Sequence, residues 1–475
     1  MTPYRTLVFA RIVQESALSI GGNQPHGMVD SPLARDGQGR PVIRGSTLAG
    51  CFIATARALA GQLPRALTSG SVPSQCAEQE VLIPSAWRFT HAHLLGAEPQ
   101  TVFFQHNSID ARTLAAKDDH LFNLEALPPG TCWNFELEIV PTVDAEFANL
   151  EALAAATLAR WQQCGGARLG RGSRHGYGWC HLEDIAIIRL DTRQARLWPD
   201  AFAPARSVAQ WVEHFRASHA EVLDLPALLA LHAERLPKSK RHVVEFTGTL
   251  HVGERQDEFG KGYGLDTLSI GGHARLQLQA RDFFQRVMWP SEITLPEDKF
   301  NPDFAITAMP DADGRLVPYV PGASIRGVWR AQLMRHWCAK NADPTLLNTL
   351  FGSTEQAGCL SVADATLADD DWKLLWQQHI AIDELSGGAY GSSKFDRLCI
   401  ARARFRWQAT IEADSEQAVK ELAAPLLNML RTLGDGQLPL GGGIWRGHGH
   451  IHWKIDSDIA RPLGNLSNVP QGPNL

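Results

Sequence analysis

The chain has 475 residues, 44% of them hydrophobic and 20% charged, with a formal net charge of −6. That length exceeds one hydrophobic core and suits two or three domains, while no apolar run reaches membrane-spanning length. The mild acidity argues weakly against nucleic-acid binding, so the local placement of Arg matters more than the sum.

The start, Met1-Thr2-Pro3-Tyr4-Arg5, lacks the long apolar stretch of a signal peptide. A strand is expected from about Thr6 to Ile20, closed by Gly21-Gly22. The polar stretch that follows, with Pro25, Pro32 and Gly37-Gln38-Gly39, reads as loop. After Gly45-Ser46-Thr47, the residues Leu48, Phe52, Ala56 and Leu59 recur at helical spacing, with Ser46 or Thr47 as N-cap. Residues 64–82 read as loop, 83–90 and 100–105 as strands, and 111–121 as an exposed polar segment. Phe135 to Val140 alternates as a strand, an Ala/Leu-rich helix covers about 146–163, and a last strand runs from Gly178 to Ile188. This order predicts an α+β fold of the ferredoxin-like kind.

Helical patterns at 208–217 and 225–236 connect this unit to a second that opens near His242. The second unit repeats the first. Ile43-Arg44-Gly45-Ser46-Thr47-Leu48-Ala49-Gly50 returns as Val320-Pro321-Gly322-Ala323-Ser324-Ile325-Arg326-Gly327. Leu169-Gly170-Arg171-Gly172-Ser173-Arg174-His175-Gly176-Tyr177-Gly178 returns as Leu440-Gly441-Gly442-Gly443-Ile444-Trp445-Arg446-Gly447-His448-Gly449. Ile109-Asp110 returns as Ile382-Asp383. All three lie roughly 270–280 residues apart, the mark of a tandem duplication. The second copy holds extra residues at about 253–300, including Phe283, Phe284 and Trp289. Such aromatics suit either a protein interface or packing on their own domain. The tail after Arg461 is rich in Pro, Gly and Asn and reads as disordered.

A Gly-Ser/Thr pair opening a helix offers free N–H groups at the positive end of its dipole, which is either a phosphate site or a plain cap. Arg168, Arg171 and Arg174 interleave with the glycines of the first loop. That composition suits nucleic-acid contact, the alternative being a tight turn before an edge strand. Arg402, Arg404 and Arg406 share a strand face. His448, His450 and His452 also alternate, which suits a strand face near RNA better than a metal site. The eight cysteines form no CxxC pair, so reduced thiols and a cytoplasmic location are expected.

Val29-Asp30-Ser31-Pro32-Leu33-Ala34-Arg35-Asp36 followed by Pro41-Val42-Ile43-Arg44-Gly45-Ser46-Thr47-Leu48-Ala49-Gly50 resembles the backbone subunits of type III CRISPR effector complexes, in the RAMP superfamily. Leu18 to Gly22, Asn107 to Arg112, Phe122 to Leu127, Leu350 to Ser353, Leu360 to Ala365 and both glycine loops fit the same family. The tandem form is similar to the fused double subunit of type III-D variants. The resemblance implies two ferredoxin-like (RRM-like) RAMP domains with inserted thumb-like segments. They would occupy 1–189 and 241–460, joined by a helical connector at 190–240 and followed by a tail at 461–475. It implies partners: a guide crRNA, a complementary target RNA and other effector subunits. The guide backbone would be held by Arg44, Gly45, Ser46, Thr47, Arg168, Arg171, Gly172, Arg174 and Gly176, and in the second copy by Gly322, Ala323, Ser324, Arg326, Gly442, Gly443 and Arg446. A thumb would interrupt the duplex about every six nucleotides. Asp30 matches the aspartate that cuts the target with a divalent metal ion, Mg or Mn, and His26 is either its partner or a loop residue. Counting back from Gly322 puts Thr307 opposite Asp30, so the second copy is expected to be inactive unless Asp303 takes the place. Two other readings stay open: a repeat-processing endoribonuclease, and a structural RNA-binding subunit without catalysis.

Overall fold

A computed structural model describes residues 4–22, 29–67, 70–73, 80–106, 122–142, 145–191, 210, 221–239, 241–253, 267–271, 280–289, 299–311, 314–339, 345–353 and 355–463. His26, the Ile109-Asp110 pair, the polar segment 111–121, the helical pattern near 208–217 and the tail beyond residue 463 lie outside them. The chain divides into two compact units. One comprises Met1–Ser173, Tyr177–His242 and Arg461–Leu475, the other Arg174–Gly176 and Val243–Ala460.

The first unit is built on β1 (Tyr4–Gln14), α1 (Gly45–Ala60), β2 (Trp87–Phe89), a hairpin of β3 (Val102–His106) and β4 (Phe122–Ala126), β5 (Cys132–Ile139), α2 (Phe147–Trp161) and β6 (Trp179–Asp191). The main sheet runs β6-β1-β5-β2, and its pairs are antiparallel. The order fourth-first-third-second, with a helix after the first and third of these strands, is the ferredoxin-like arrangement. Alternation sets the faces. Trp133, Phe135, Leu137 and Ile139 are buried on β5 while Asn134, Glu136 and Glu138 are partly exposed. The buried face meets Leu48, Phe52, Ala56 and Leu59 of α1, the four residues that the helical period picks out. Phe52 is its aromatic centre, edge-on to Trp161 at 5.0 Å and to Trp87 at 5.2 Å.

Residues expected as a connector join this unit. Glu221–Leu223 adds a strand to β6, and α3 (Leu225–Leu231), capped by the Asp224 side chain, packs on α2. Within 64–82, read as loop, Gly70–Pro73 and Glu80–Ile83 pair as a short hairpin.

The second unit repeats the plan. It has β7 (His242–Val252), α4 (Gly322–Ala339), β8 (Leu360–Val362), β9 (Lys373–Ile382), β10 (Ala389–Ala413), α5 (Glu416–Leu433) and β11 (His452–Pro462), with sheet order β8-β10-β7-β11. The Ser415 side chain caps α5, whose Val419, Leu422, Leu426 and Leu430 are buried. Trp329 of α4 meets Trp407 of β10 at 5.5 Å. The aromatics of the extra segment pack on this domain. Phe283 is buried edge-on to Trp372, and Trp289 lies against Phe284, Phe300 and Trp376. Of the two readings for them, the packed one describes these side chains. The fold class is α+β with two ferredoxin-like domains.

Candidate nucleic-acid interface and carboxylate site

The first unit brings three pieces together: the loop at 29–36, the start of α1 and the glycine loop. Asp30 is exposed, and its Oδ2 accepts the main-chain N–H of Asn123 on β4 at 2.8 Å. Ser31 pairs with Leu124 in a parallel bridge, which fixes the loop on the hairpin. Arg171 of the glycine loop donates from Nη1 to Ser31 Oγ at 2.5 Å. One residue from the carboxylate, therefore, stands a guanidinium.

The second unit builds the same site around Asp303. Its Oδ2 accepts the main-chain N–H of Asp396 on β10 at 2.9 Å, and Phe304 pairs with Arg397 in a parallel bridge. One sequence offset carries Asp30 onto Asp303, Asn123 onto Asp396 and Leu124 onto Arg397. Thr307 instead donates its N–H to Ile270 O, as Ala34 does to Ile20 O. This corrects the register: Thr307 is the counterpart of Ala34, and Asp303 is that of Asp30. Counting from the Gly-Ser motif fails because a hairpin, Ala308–Pro310 with Leu316–Pro318, lengthens the intervening loop.

Arginine reaches this place by a different route in each unit. Gly442 stands where the first loop has Arg171, and the cation comes from β10. Arg397 Nη1 donates to Ser269 Oγ at 2.8 Å, with its guanidinium over Phe304 at 5.1 Å. Exposed Arg446 lies over Phe395 at 5.5 Å. Asp396 adds a second carboxyl where the first unit has Asn123. Burial, more than the nearby Asp303 charge, raises its pKa from the ordinary value.

Both Gly-Ser helices start against a strand. A Cβ on Gly45 would sit 2.6 Å from Phe89 O, and one on Gly322 would sit 2.6 Å from Val362 O, so only glycine fits. The N-cap of α1 is Arg44, with extended backbone and no side-chain cap, so Ser46 and Thr47 fall inside the first turn and do not cap it. The first N–H is already taken. Gly45 N donates to His91 Nδ1 at 2.9 Å, and Gly322 N donates to Asp364 Oδ1 at 2.7 Å. Burial pushes the Asp364 carboxyl up to about 8. Exposed Ser46 and half-buried Thr47, Ala323 and Ser324 remain at the surface of these helix starts.

Other expected contacts divide. Arg168 stacks on Trp179 at 4.7 Å. Arg174 and Gly176 group with the second unit, where Arg174 O accepts from Val362 N and Gly176 closes on the Asp364 carboxyl. Arg326 donates to Phe351 O at 2.7 Å and meets His175 Nε2 at 3.0 Å. Burial, then Arg330 and Arg174, lower its pKa to about 10. Its guanidinium is committed to protein. Gly172 and Gly443 adopt φ of 68° and 71°, so the turn itself requires them. Arg402 and Arg404 pair with Asp371 and Asp369, and only Arg406 of the three lacks such an acid among the ion pairs described. The three histidines of the second loop do not share a strand face. His448 bonds Thr267 Oγ1, His450 bonds Gly436 O and His452 meets Asp435 Oδ1, because β11 begins only at His452.

The hairpins carry features that sequence reading missed. His106 stacks on Phe122 across β3 and β4 (centroids 5.1 Å apart), and His379 stacks on Phe395 across β9 and β10 (4.9 Å). Burial lowers the pKa of both imidazoles, with Arg397 and Arg446 adding to the effect at His379. The tip of the second hairpin exposes Ile382, Leu385 and Tyr390, with Leu385 at 93%. Such an apolar tip is suited to wedge between bases.

Fold and site together define a duplicated ferredoxin-like protein with a loop carboxylate, an arginine and a stacked histidine in each half. The family model of the RAMP superfamily matches residues 15–181 and 270–452, one region per domain, and the chain belongs to that superfamily. Among curated proteins, none matches the chain. Among the described residues, no helix is long and apolar enough to cross a membrane. Nor do they hold a cluster of three or more His, Cys, Asp or Glu placed for a metal.

Proposed function

We propose that the chain is a guide-RNA-binding backbone subunit of a type III CRISPR effector complex, fused as a double subunit, and that it cleaves RNA complementary to the guide in both domains. The observation that carries this reading is the repeated carboxylate: Asp30 and Asp303 occupy one register, each held by a hairpin N–H. Membership of the superfamily supports RNA as the ligand. The expectation of one active domain rested on Thr307, whose counterpart is Ala34.

RNA carries its own nucleophile. Attack of the 2′-oxygen on the adjacent phosphorus forms the O2′–P bond and breaks P–O5′, leaving a 2′,3′-cyclic phosphate and a 5′-oxygen that takes a proton from solvent to become a hydroxyl. Asp30 or Asp303 orients the 2′-hydroxyl and takes its proton, with one carboxylate oxygen pinned by the hairpin N–H and the residue open to solvent. Arg171 in one domain and Arg397 in the other place positive charge beside that carboxylate, where a phosphate gathers charge in the transition state. The donor set fits Mg or Mn, which take one or two carboxylates and complete their shell from water and substrate phosphate. Asp30 would hold the ion in the first domain, and Asp303 with Asp396 in the second. A bound ion would offset charge on the scissile phosphate.

The test is a cut map on end-labelled complementary RNA with the guide-loaded protein. Asp30→Asn removes one cut and Asp303→Asn the other, while target binding persists. If both variants leave every cut in place, the two carboxylates are not catalytic.

A further inference from the structure

The loop that carries Asp30 is held a second time, further along the same hairpin strand. Glu125 lies on β4, two residues beyond the Asn123 N–H that binds Asp30, and is only 7% exposed. Its Oε2 accepts the Leu33 N–H at 2.9 Å, and its Oε1 accepts Arg35 Nη2 at 2.8 Å. The other terminal nitrogen of Arg35, Nη1, donates to Gly39 O at 2.9 Å and to Glu98 Oε1 at 3.2 Å. One carboxylate thus ties both the main chain and a side chain of the loop to the hairpin. Burying a carboxylate is costly unless such partners meet it, so each of them is needed.

The second domain shows that the fold does not need this charge. The offset that joins Asp30 to Asp303 carries Glu125 onto Leu398 and Arg35 onto Ala308. Leu398 is buried in the apolar core with Ile306, the counterpart of Leu33, and Ala308 packs against that core. The main chain pairs alike in both domains: Glu125 N donates to Ser31 O at 3.0 Å, and Leu398 N donates to Phe304 O at 2.8 Å. Aliphatic packing is non-directional, whereas a carboxylate makes directed, charge-assisted bonds. What Glu125 adds over a leucine is therefore fixed placement of the loop.

That placement matters at Asp30, three residues before Leu33. The parallel bridge of Ser31 with Leu124 is a single pair. The two bonds to Glu125 stop the loop from sliding along β4 and carrying Asp30 with it. A group that must meet a reacting hydroxyl loses about 100-fold in rate when displaced by about 1 Å.

We infer that Glu125, with Arg35, is a positioning residue for Asp30: it acts through the loop, and the first domain's cut depends on this ion pair while the second domain's cut does not. The inference rests on the catalytic reading above.

The experiment times the two cuts separately on end-labelled complementary RNA bound to the guide-loaded full chain. Glu125→Ala should slow the first-domain cut by about 100-fold at saturating target and leave the half-saturating target concentration unchanged. Glu125→Gln keeps the size and an acceptor for Leu33 N–H, and should recover that cut to within about tenfold of wild type. Arg35→Met, at an exposed residue, removes only the ion pair and should match Glu125→Gln, which guards against a folding defect in the alanine variant. The second-domain cut in the same molecules should stay within about twofold of wild type. A first-domain cut at the wild-type rate in Glu125→Ala overturns the inference. So does a loss of both cuts and of target binding in Glu125→Ala while Glu125→Gln and Arg35→Met cut as wild type, since the residue is then structural only. Should Asp30→Asn leave the first-domain cut in place, the catalytic reading fails, and this inference with it.

Discussion

Replacing Asp364 by Asn should stabilise the second domain, and by an amount that grows with pH. The carboxyl sits at the start of α4, bonded to Gly322 N and closed over by Gly176. Its pKa in the folded protein is raised from 3.8 to about 8. The unfolded chain therefore ionises first. Stability linked to this group is fully present below pH 4, declines as pH rises, and levels off above pH 8. One pKa unit corresponds to about 1.4 kcal/mol, so the full shift represents about 6 kcal/mol. The helix dipole favours the anion by up to about 1 kcal/mol, which leaves about 5 kcal/mol above pH 8. Asn keeps an acceptor for Gly322 N and has no charge to bury. Denaturant titrations of both proteins from pH 5 to pH 9 would read the difference. It should be under about 2 kcal/mol at pH 5 and approach about 5 kcal/mol above pH 8. A difference that does not vary with pH would refute the reasoning, since it would mean that the carboxyl titrates alike in both states.

Two further expectations bear on binding and packing. Arg171→Ala should weaken guide binding and lower the slope of log affinity against log salt by about 1, read by filter binding at several salt concentrations. An unchanged slope would take Arg171 off the phosphate backbone. Phe283→Ala should destabilise the second domain by about 3–5 kcal/mol by opening a cavity against Trp372, read from its unfolding midpoint; a surface docking residue would cost far less.

The duplication was legible because its motifs carry unusual glycines in a fixed order. Helix α1 was legible because Leu48, Phe52, Ala56 and Leu59 keep the helical period and are buried as that period requires. The register at Asp303 was not, since motif counting assumes equal loops and the second hairpin at 308–318 is longer. Main-chain hydrogen bonds carry that information, and sequence does not display them. The stacked pairs His106–Phe122 and His379–Phe395 were also missed, because cross-strand neighbours lie far apart in the chain. Their recurrence at the offset that joins Asp30 to Asp303 was the available signal. Arg326 shows the opposite failure. It sits in a motif expected at RNA, yet its guanidinium is taken by Phe351 O and His175.

The most direct measurement is the cut map of the wild-type protein, loaded with guide RNA and given a labelled complementary strand. On the proposed function, two carboxylates in one register predict two cuts, separated by the roughly six nucleotides that the family resemblance implies, each leaving a 2′,3′-cyclic phosphate. Asp303→Asn should remove one of them and slow that step by at least about 100-fold, as loss of a positioned base does. A single cut insensitive to Asp303, or an intact target strand, would contradict the account.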